Sequence, residues 1–474
     1  MRNDHSLKPG FLGKYAVMLL ALSLGGSAAA QSNDALLRRA YAAGYKAQFL
    51  CSGLFNGGKT AEQIERDELT GIYPEIADIV PTLPAKIDQT AKRVTVAYAE
   101  NTPPRAAIHG RTTGCTAMPI GWTPHTPKKP TDNDIISYGL PSALYDRLAP
   151  GSLDTKKWPM GDAGSSNDKA PGSAAAKKLI ADILTNGKFG GKSSAALVVR
   201  GGQIIAEDYA LGHNLHTGQR TWSVAKSITG TYAGFVRQQS SLALDIPGLE
   251  GLAPIDPRSK IMLENLLRMA SGLHSDYAGN RSDHIYLGGA PVRQHAATGL
   301  LLRAPGTHFR YANNDILLAT LAIRNAAPDI HPHHLFDKLG MTRTFAETDH
   351  KGDYILSSQV WTTPRDLARM GMLYLNNGTW NGERLLPENW REFVSTPSGP
   401  QPFGAFGYGA TFWLMNKSDG IPADTFAAFG NRGQYLVIIP SRDMIIVRRG
   451  YDSTGNQFDI EAFTRAMVAA AARP

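Results

Sequence analysis

The spacing of apolar positions predicts most of the regular structure in this 474-residue chain. From Asn33 to Phe49, Leu36, Leu37, Tyr41 and Tyr45 recur at helical intervals and predict a helix. The run Lys92–Tyr98, KRVTVAY, alternates and predicts a strand. A helix is expected over Ala174–Leu184. Two apolar runs follow, Ala195–Arg200 and Gln203–Ala206, joined by Gly201-Gly202, a pair suited to a tight hairpin because both turn positions need positive φ. The chain ends in mirror order: Tyr435–Ile439, a turn over Pro440–Asp443, Met444–Val447, and a helix from Ile460. Helix and hairpin at one end, hairpin and helix at the other, predict one antiparallel sheet flanked by terminal helices. The middle, Ser223 to Phe393, reads as mostly helical with Gly-rich loops, so the fold class is α+β. Trp122–Pro171, rich in Pro, Gly, Asp, Ser and Thr, is expected to be a long surface connection. No internal repeat is visible.

The first thirty residues stand apart. Arg2, Lys8 and Lys14 precede an apolar run from Tyr15 to Leu24 and then Ala28-Ala29-Ala30, the pattern of a secretory signal peptide cut before Gln31. A retained anchor is the alternative, but the run is about half the ~20 residues a bilayer span needs. No Cys follows it, so no lipid anchor is expected. The expected organisation is a leader over 1–30, an N-terminal extension over 31–125 and a main domain over 126–474, in a periplasmic or secreted protein. Cys51 and Cys115 are the two cysteines. In an oxidising compartment they are expected to pair, closing a loop worth ~4 kcal/mol in the chain-entropy picture; two buried thiols are the alternative. The formal charge is +8, of which residues 1–30 supply +2 (three basic residues minus Asp4). Lys and Arg are scattered, so no nucleic-acid partner is expected.

The chemistry concentrates at Trp222-Ser223-Val-Ala-Lys226, a Ser-x-x-Lys at the start of a helical pattern. Residues three apart on a helix share a face, so the Lys amine reaches the Ser hydroxyl. A Lys serves as base for a serine nucleophile when burial or nearby positive charge lowers its pKa. The helix N-terminus adds amide donors for developing negative charge. A second copy, Ser166-Asn-Asp-Lys169, lies in the polar connection and reads as a solvated loop. The next element is Pro305-Gly-Thr-His-Phe-Arg-Tyr311-Ala-Asn313, where a Pro-Gly turn presents Tyr311 and where Asn314 or Asp315 is expected to cap the following helix. The Tyr311 phenol can donate to the reacting centre, or accept from it as phenolate; the Asn313 amide can hold Lys226 or a substrate carbonyl. Tyr374-Leu-Asn376, which shares the Tyr-x-Asn pattern, reads as the end of a helix.

Ser223-Val-Ala-Lys226, Tyr311-Ala-Asn313, Leu263–Leu273 and Thr363–Met370 together resemble the serine β-lactamase and penicillin-binding protein superfamily, in its class C branch, nearest to 6-aminohexanoate-dimer hydrolases and family VIII esterases. The resemblance spans roughly 175–470 and implies a β-lactamase/transpeptidase-like fold. It also implies a third motif, often Lys-Thr-Gly, whose counterpart here is Gly430-Asn431-Arg432-Gly433-Gln434. On this analogy Gly433 lets substrate approach the backbone, and the amides of Ser223 and Gln434 form the oxyanion hole. Asn431 stands where the family's Lys helps bind a β-lactam carboxylate, which favours amidase or esterase activity over β-lactamase activity. The direction of Arg432 is left open.

Other patterns carry no chemistry. Asn186-Gly-Lys-Phe-Gly-Gly-Lys192-Ser193 lacks the first Gly and preceding strand of a phosphate loop and reads as a helix C-terminal turn. No Gly-x-Ser-x-Gly elbow is present. His331-Pro-His333-His334 lacks partners at metal-ligand spacing and reads as a surface turn before a helix. The expected function is therefore a serine hydrolase that forms an acyl-enzyme on small amides or esters. Ser223, Lys226 and Tyr311 are its catalytic residues, and Asn313, Asn431, Gly433 and Gln434 bind substrate, with no metal or organic cofactor. A D-alanyl-D-alanine carboxypeptidase or β-lactamase, and a non-catalytic binding protein on the same fold, are the alternatives.

Overall fold

The structure, a computed structural model, describes residues 13–124, 147–164, 166–275 and 282–471, with side chains from residue 33 onward. A long helix, Gly13–Phe55, opens it and overruns the predicted Asn33–Phe49 at both ends. From Ala40 on it is mostly buried. It packs on a four-stranded antiparallel meander of β1 (Ala85–Asp88), β2 (Arg93–Val96), β3 (Arg105–Gly110) and β4 (Gly114–Ala117). Cys51 on the helix and Cys115 on β4 form a disulfide, as expected.

The main sheet begins with β5 (Ser193–Arg200) and β6 (Gln203–Tyr209), whose turn glycines Gly201 and Gly202 take φ of 56° and 73°, the values the hairpin needs. A small sheet joins β7 (Gln219–Arg220), β8 (Phe345–Ala346) and β9 (Val360–Thr362); β10 (Thr379–Trp380) and β11 (Glu383–Arg384) form a separate hairpin. The main sheet is completed by β12 (Gly407–Tyr408), β13 (Trp413–Leu414), β14 (Phe426–Gly430), β15 (Gln434–Ile439) and β16 (Met444–Gly450). Its seven antiparallel strands run in the order β12-β13-β14-β15-β16-β5-β6. Both ends of the main domain thus meet at the β16–β5 pair, as the mirror order predicts.

Alternation assigns the faces. Val198, Val437, Ile439 and Ile446 pack with Ile180, Phe463 and Met467 of the terminal helices Ser173–Thr185 and Ile460–Ala471. Leu197, Val199, Leu436, Ile438, Ile445 and Val447 join the large core with the helices Val224–Ser240 and Pro364–Leu375. Covered on both faces, β16 is buried at all seven positions. The helix Val224–Ser240 is buried from Val224 through Val236, and two glycines permit its close packing: Gly234 lies against the Trp390 indole, and Gly230 against Thr411.

Three expectations need correction. The connection Trp122–Pro171, of which 125–146 lie outside the described residues, is not merely superficial. Arg369 donates to the carbonyls of Pro159 and Gly161 and to the Asp162 carboxylate, and Arg365 donates to the Asp162 and Gly164 carbonyls. Buried arginines satisfy a backbone that lacks periodicity, which lets an irregular segment pack against the core. His331 and His333 are buried rather than on a surface turn, although His331 does cap the helix Pro332–Leu339. Neither Asn314 nor Asp315 caps Asn313–Ala326; its N-cap is Ala312, without a side-chain cap, while Asp315 accepts from Ser271 and Asn314 from Ser282.

Candidate active site

Ser223 sits at the N-cap of the helix Val224–Ser240, with φ −67° and ψ −7°. The preceding residue, Trp222, is in the left-handed region at φ 51°. For a bulky side chain that conformation costs on the order of 1–3 kcal/mol and persists where its surroundings enforce it. Here the Thr221 amide is tied to the Val360 carbonyl at 2.7 Å, and the indole is held by Phe49 (centroids 5.9 Å apart), Tyr73 (6.1 Å) and the Arg220 guanidinium (3.9 Å).

One helical turn on, Lys226 Nζ is 3.0 Å from Ser223 Oγ, 2.6 Å from Asn313 Oδ1 and 2.8 Å from the Ser357 carbonyl oxygen. All three partners are neutral, and the side chain is buried. Burial pushes its pKa down to about 7, and the charge on Arg220 lowers it further. A neutral amine has two N–H donors and one lone pair. Asn313 and Ser357 accept the two donors, which leaves the lone pair for the proton of Ser223. Asn313 therefore holds Lys226, one of the two roles open to it in the sequence.

Tyr311 arrives from the turn at Gly306, which takes φ 79° as a Pro-Gly turn requires. Its ring lies 5.0 Å from Lys226 Nζ and packs against Trp413 (5.3 Å) and Tyr408 (6.2 Å). Burial raises the phenol to about 12, while hydrogen bonds with Ser223 and Trp413 hold the rise in check. At neutral pH Tyr311 is thus protonated and Lys226 close to half neutral, so of the two roles left open for the phenol the donor form is the populated one. Ser223, Lys226, Tyr311 and Asn313 come together.

The Gly430–Gln434 segment divides. Gly430, at the end of β14, packs on the Thr221 carbonyl and Val224 Cγ2, the residues flanking Trp222–Ser223, and a Cβ there would strike that carbonyl. Asn431 is exposed, and its Oδ1 accepts from the Arg432 amide at 2.9 Å. Among the described residues, neither the Ser223 nor the Asn431 amide is taken by a backbone carbonyl. Gln434 lies on β15, in register with Gly430, and its buried side chain binds the Arg432 and Gly450 carbonyls and Arg449. Asn431, in the turn between β14 and β15, thus offers a second backbone amide at this corner. What approaches the Gly433 backbone closely is the Arg448 guanidinium, which donates to its carbonyl at 2.8 Å. Arg432 is engaged with the N-terminal segment, donating to the carbonyls of Asp67, Glu68 and Thr70.

Several residues escaped the sequence reading. Ser357 contributes only a carbonyl, which leaves no side-chain signature, and Trp413 lies on a two-residue strand. The N-terminal segment also reaches Trp222, the residue before Ser223. A pocket of about 190 Å³ is walled on one side by Tyr45 and Gly71–Pro74, and on the other by Trp222 and Gly430–Gly433. The decoy Ser166 is half-buried and donates to Asp168, while Tyr374 sits in a helix and pairs with Thr231.

Comparison with known proteins finds similar sequences and a similar fold. The family model described as Beta-lactamase matches residues 177–471. The 6-aminohexanoate-dimer hydrolase of Paenarthrobacter ureafaciens is 24% identical over 287 residues, covering 54% of this chain and 72% of that protein. A Bacillus anthracis structure with the provisional name 6-aminohexanoate-dimer hydrolase is 21% identical with a TM-score of 0.51, covering 65% of this chain and 85% of that one. A Bacteroides dorei structure provisionally named a β-lactamase is 16% identical with a TM-score of 0.51, covering 65% of this chain and 99% of that one. Residues before 177 lie outside the family match.

Proposed function

The chain belongs to the β-lactamase family, and from that premise we propose that it is a serine hydrolase that opens small amides or esters through an acyl-Ser223 intermediate. The observation that carries this reading is the 3.0 Å approach of Lys226 Nζ to Ser223 Oγ, in a setting where every other partner of the amine is neutral. The substrate carbonyl oxygen is taken by the amides of Ser223 and Asn431. Lys226 accepts the Ser223 proton as Oγ attacks the carbonyl carbon, and charge develops on the oxygen held by the two amides. Tyr311 gives its proton to the leaving nitrogen or oxygen as the carbon–heteroatom bond breaks, and the ammonium of Lys226 returns a proton to the phenolate. Water then attacks the acyl-enzyme along the same proton path reversed. No step calls for a metal or organic cofactor.

Preference for linear amides or esters over β-lactams and D-alanyl-D-alanine peptides is supported by the exposed side-chain amide of Asn431 where that chemistry uses an ammonium, and by the engagement of the Arg432 guanidinium with three carbonyls of the N-terminal segment. Export, with a leader over 1–30 removed before Gln31, is supported by the basic, apolar and small-residue pattern and by the Cys51–Cys115 disulfide. No described helix is long and apolar enough to cross a membrane. The division at about residue 125 into an extension and a hydrolase domain is supported by the start of the family match at residue 177.

The test is intact-mass measurement during turnover of p-nitrophenyl acetate. An acetyl adduct on Ser223, absent in Ser223→Ala together with nitrophenol release, is the expected result. Equal release by the variant contradicts the assignment.

A further inference from the structure

Arg220, on the short strand β7 just ahead of Ser223, is only 4% exposed. A guanidinium keeps its charge when buried, so a counter-ion is its usual companion. Among the described residues the partners of Arg220 are uncharged instead. Nε donates to the Ser358 carbonyl at 3.2 Å and Nη2 to the Ser358 hydroxyl at 2.6 Å, while Cζ lies 3.9 Å from the centre of the Trp222 ring and 5.0 Å from that of Phe49. Lys226 binds the carbonyl of the residue before, Ser357, at 2.8 Å. Two cations thus grip consecutive residues of one segment, which the Tyr286 hydroxyl also fastens through Ser357 Oγ. The other ionisable groups that feel Arg220 are the Glu347 carboxyl and the phenols of Tyr45 and Tyr286, and Arg449 of β16 donates to its backbone carbonyl. Around Lys226 stand Ser223, Asn313 and the ring of Tyr311.

We propose that Arg220 is a positioning residue for acyl transfer: a fixed cation, seated by Ser358, Trp222 and Phe49, that acts through Lys226. The inference rests on the serine-hydrolase reading above. A like charge nearby disfavours the ammonium form of Lys226, so more of the amine has a lone pair free for the Ser223 proton. An arginine suits this task where a lysine does not, because it cannot shed its own proton to relieve the repulsion. The same guanidinium stacks on Trp222, whose backbone leads into Ser223, so one side chain serves both nucleophile and base. Phe49 belongs to the N-terminal helix, outside the family match, and covers the cation. Keeping water from the guanidinium leaves its field on Lys226 less screened, which gives the N-terminal segment a part in the chemistry.

The pH profile of kcat/KM for p-nitrophenyl acetate on the full chain tests this. Arg220→Gln keeps donors for Ser358 and removes the charge, so the bend near 7 should move up by about one unit, with the rate at pH 6 falling roughly tenfold and largely regained by pH 9. A merely structural role predicts an equal loss at every pH. Glu347 would respond to the loss of Arg220 in the same direction, so the bend is assigned with the double variant Arg220→Gln, Lys226→Met, in which it should vanish. If Arg220→Gln gives no cooperative thermal transition, Ser358→Ala decides: it unseats the guanidinium without removing it and should raise the bend by about half a unit. A bend that stays in place in the folded Gln variant, or in Ser358→Ala where that variant does not fold, overturns the proposal, as does a raised bend that survives the loss of Lys226. Intact mass separates the two readings. An acetyl adduct on Ser223 with an unmoved bend removes only this inference, whereas turnover without that adduct removes the serine-hydrolase reading itself.

Discussion

Two of the buried lysines of this protein, Lys226 and Lys59, do opposite work. Lys226 lies among neutral acceptors beside Ser223. Lys59, on the N-terminal side, is paired with the Glu68 carboxylate, donates to the Tyr451 hydroxyl at 2.7 Å, and lies over the rings of Trp361 and Tyr451. Burial pulls both amines down, but at Lys59 the carboxylate opposes the shift, while at Lys226 only a second cation is near, and it adds to the fall. Counter-charge therefore decides the role. With it, a buried lysine is a fastener between the N-terminal segment and the hydrolase body; without it, the lysine becomes a base close to neutrality.

Exchanging these roles by mutation should separate activity from stability. Lys226→Met is expected to lower kcat by ~10²–10⁴-fold, the usual worth of a positioned proton carrier, while the thermal transition stays cooperative; a loss under fivefold in ester turnover would break the contrast. Lys59→Met leaves Glu68 buried without its partner, and denaturant unfolding should show roughly 3–5 kcal/mol of lost stability, with the acyl adduct still forming on Ser223. The double variant Lys59→Met, Glu68→Leu should regain much of that loss. The smallest effect is expected from the clasp at the far end of the same segment. Reducing Cys51–Cys115 frees a 64-residue separation, worth up to ~4 kcal/mol, and should lower the midpoint without abolishing turnover at moderate temperature.

Much of the site was legible because it is local. Ser223 and Lys226 sit one helical turn apart, and that spacing fixes their meeting before any tertiary structure is considered. The paired hairpins at the two ends of the main domain were equally readable, since strand alternation and the Gly201-Gly202 turn are short-range signals. What the sequence could not yield depends on long-range placement. The Ser357 carbonyl comes from an irregular stretch 131 residues beyond Lys226. Analogy also does not fix which amide of the Gly430–Gln434 segment faces the nucleophile, because a turn of three residues separates β14 from β15. The N-terminal segment looked like an appendage because nothing in its pattern announces that Gln48, Ser52 and Asn56 converge on the buried carboxylate of Glu347. His331 and His333 were placed outside for a similar reason: a Pro-flanked cluster has the composition of a turn, and only packing against Tyr354 and its neighbours puts it inside.

The pH dependence of kcat/KM for p-nitrophenyl ester hydrolysis tests the central claim most directly. Lys226 must be neutral to take the Ser223 proton, and its pKa lies near 7, so the rate should climb with pH, bend at about 7, and stay level until the phenol of Tyr311 begins to ionise far above. In Lys226→Met the residual rate should lose that bend. A flat profile in the wild-type protein between pH 5 and 9, or a bend near 7 that survives removal of the amine, would contradict the assignment of Lys226 as the base.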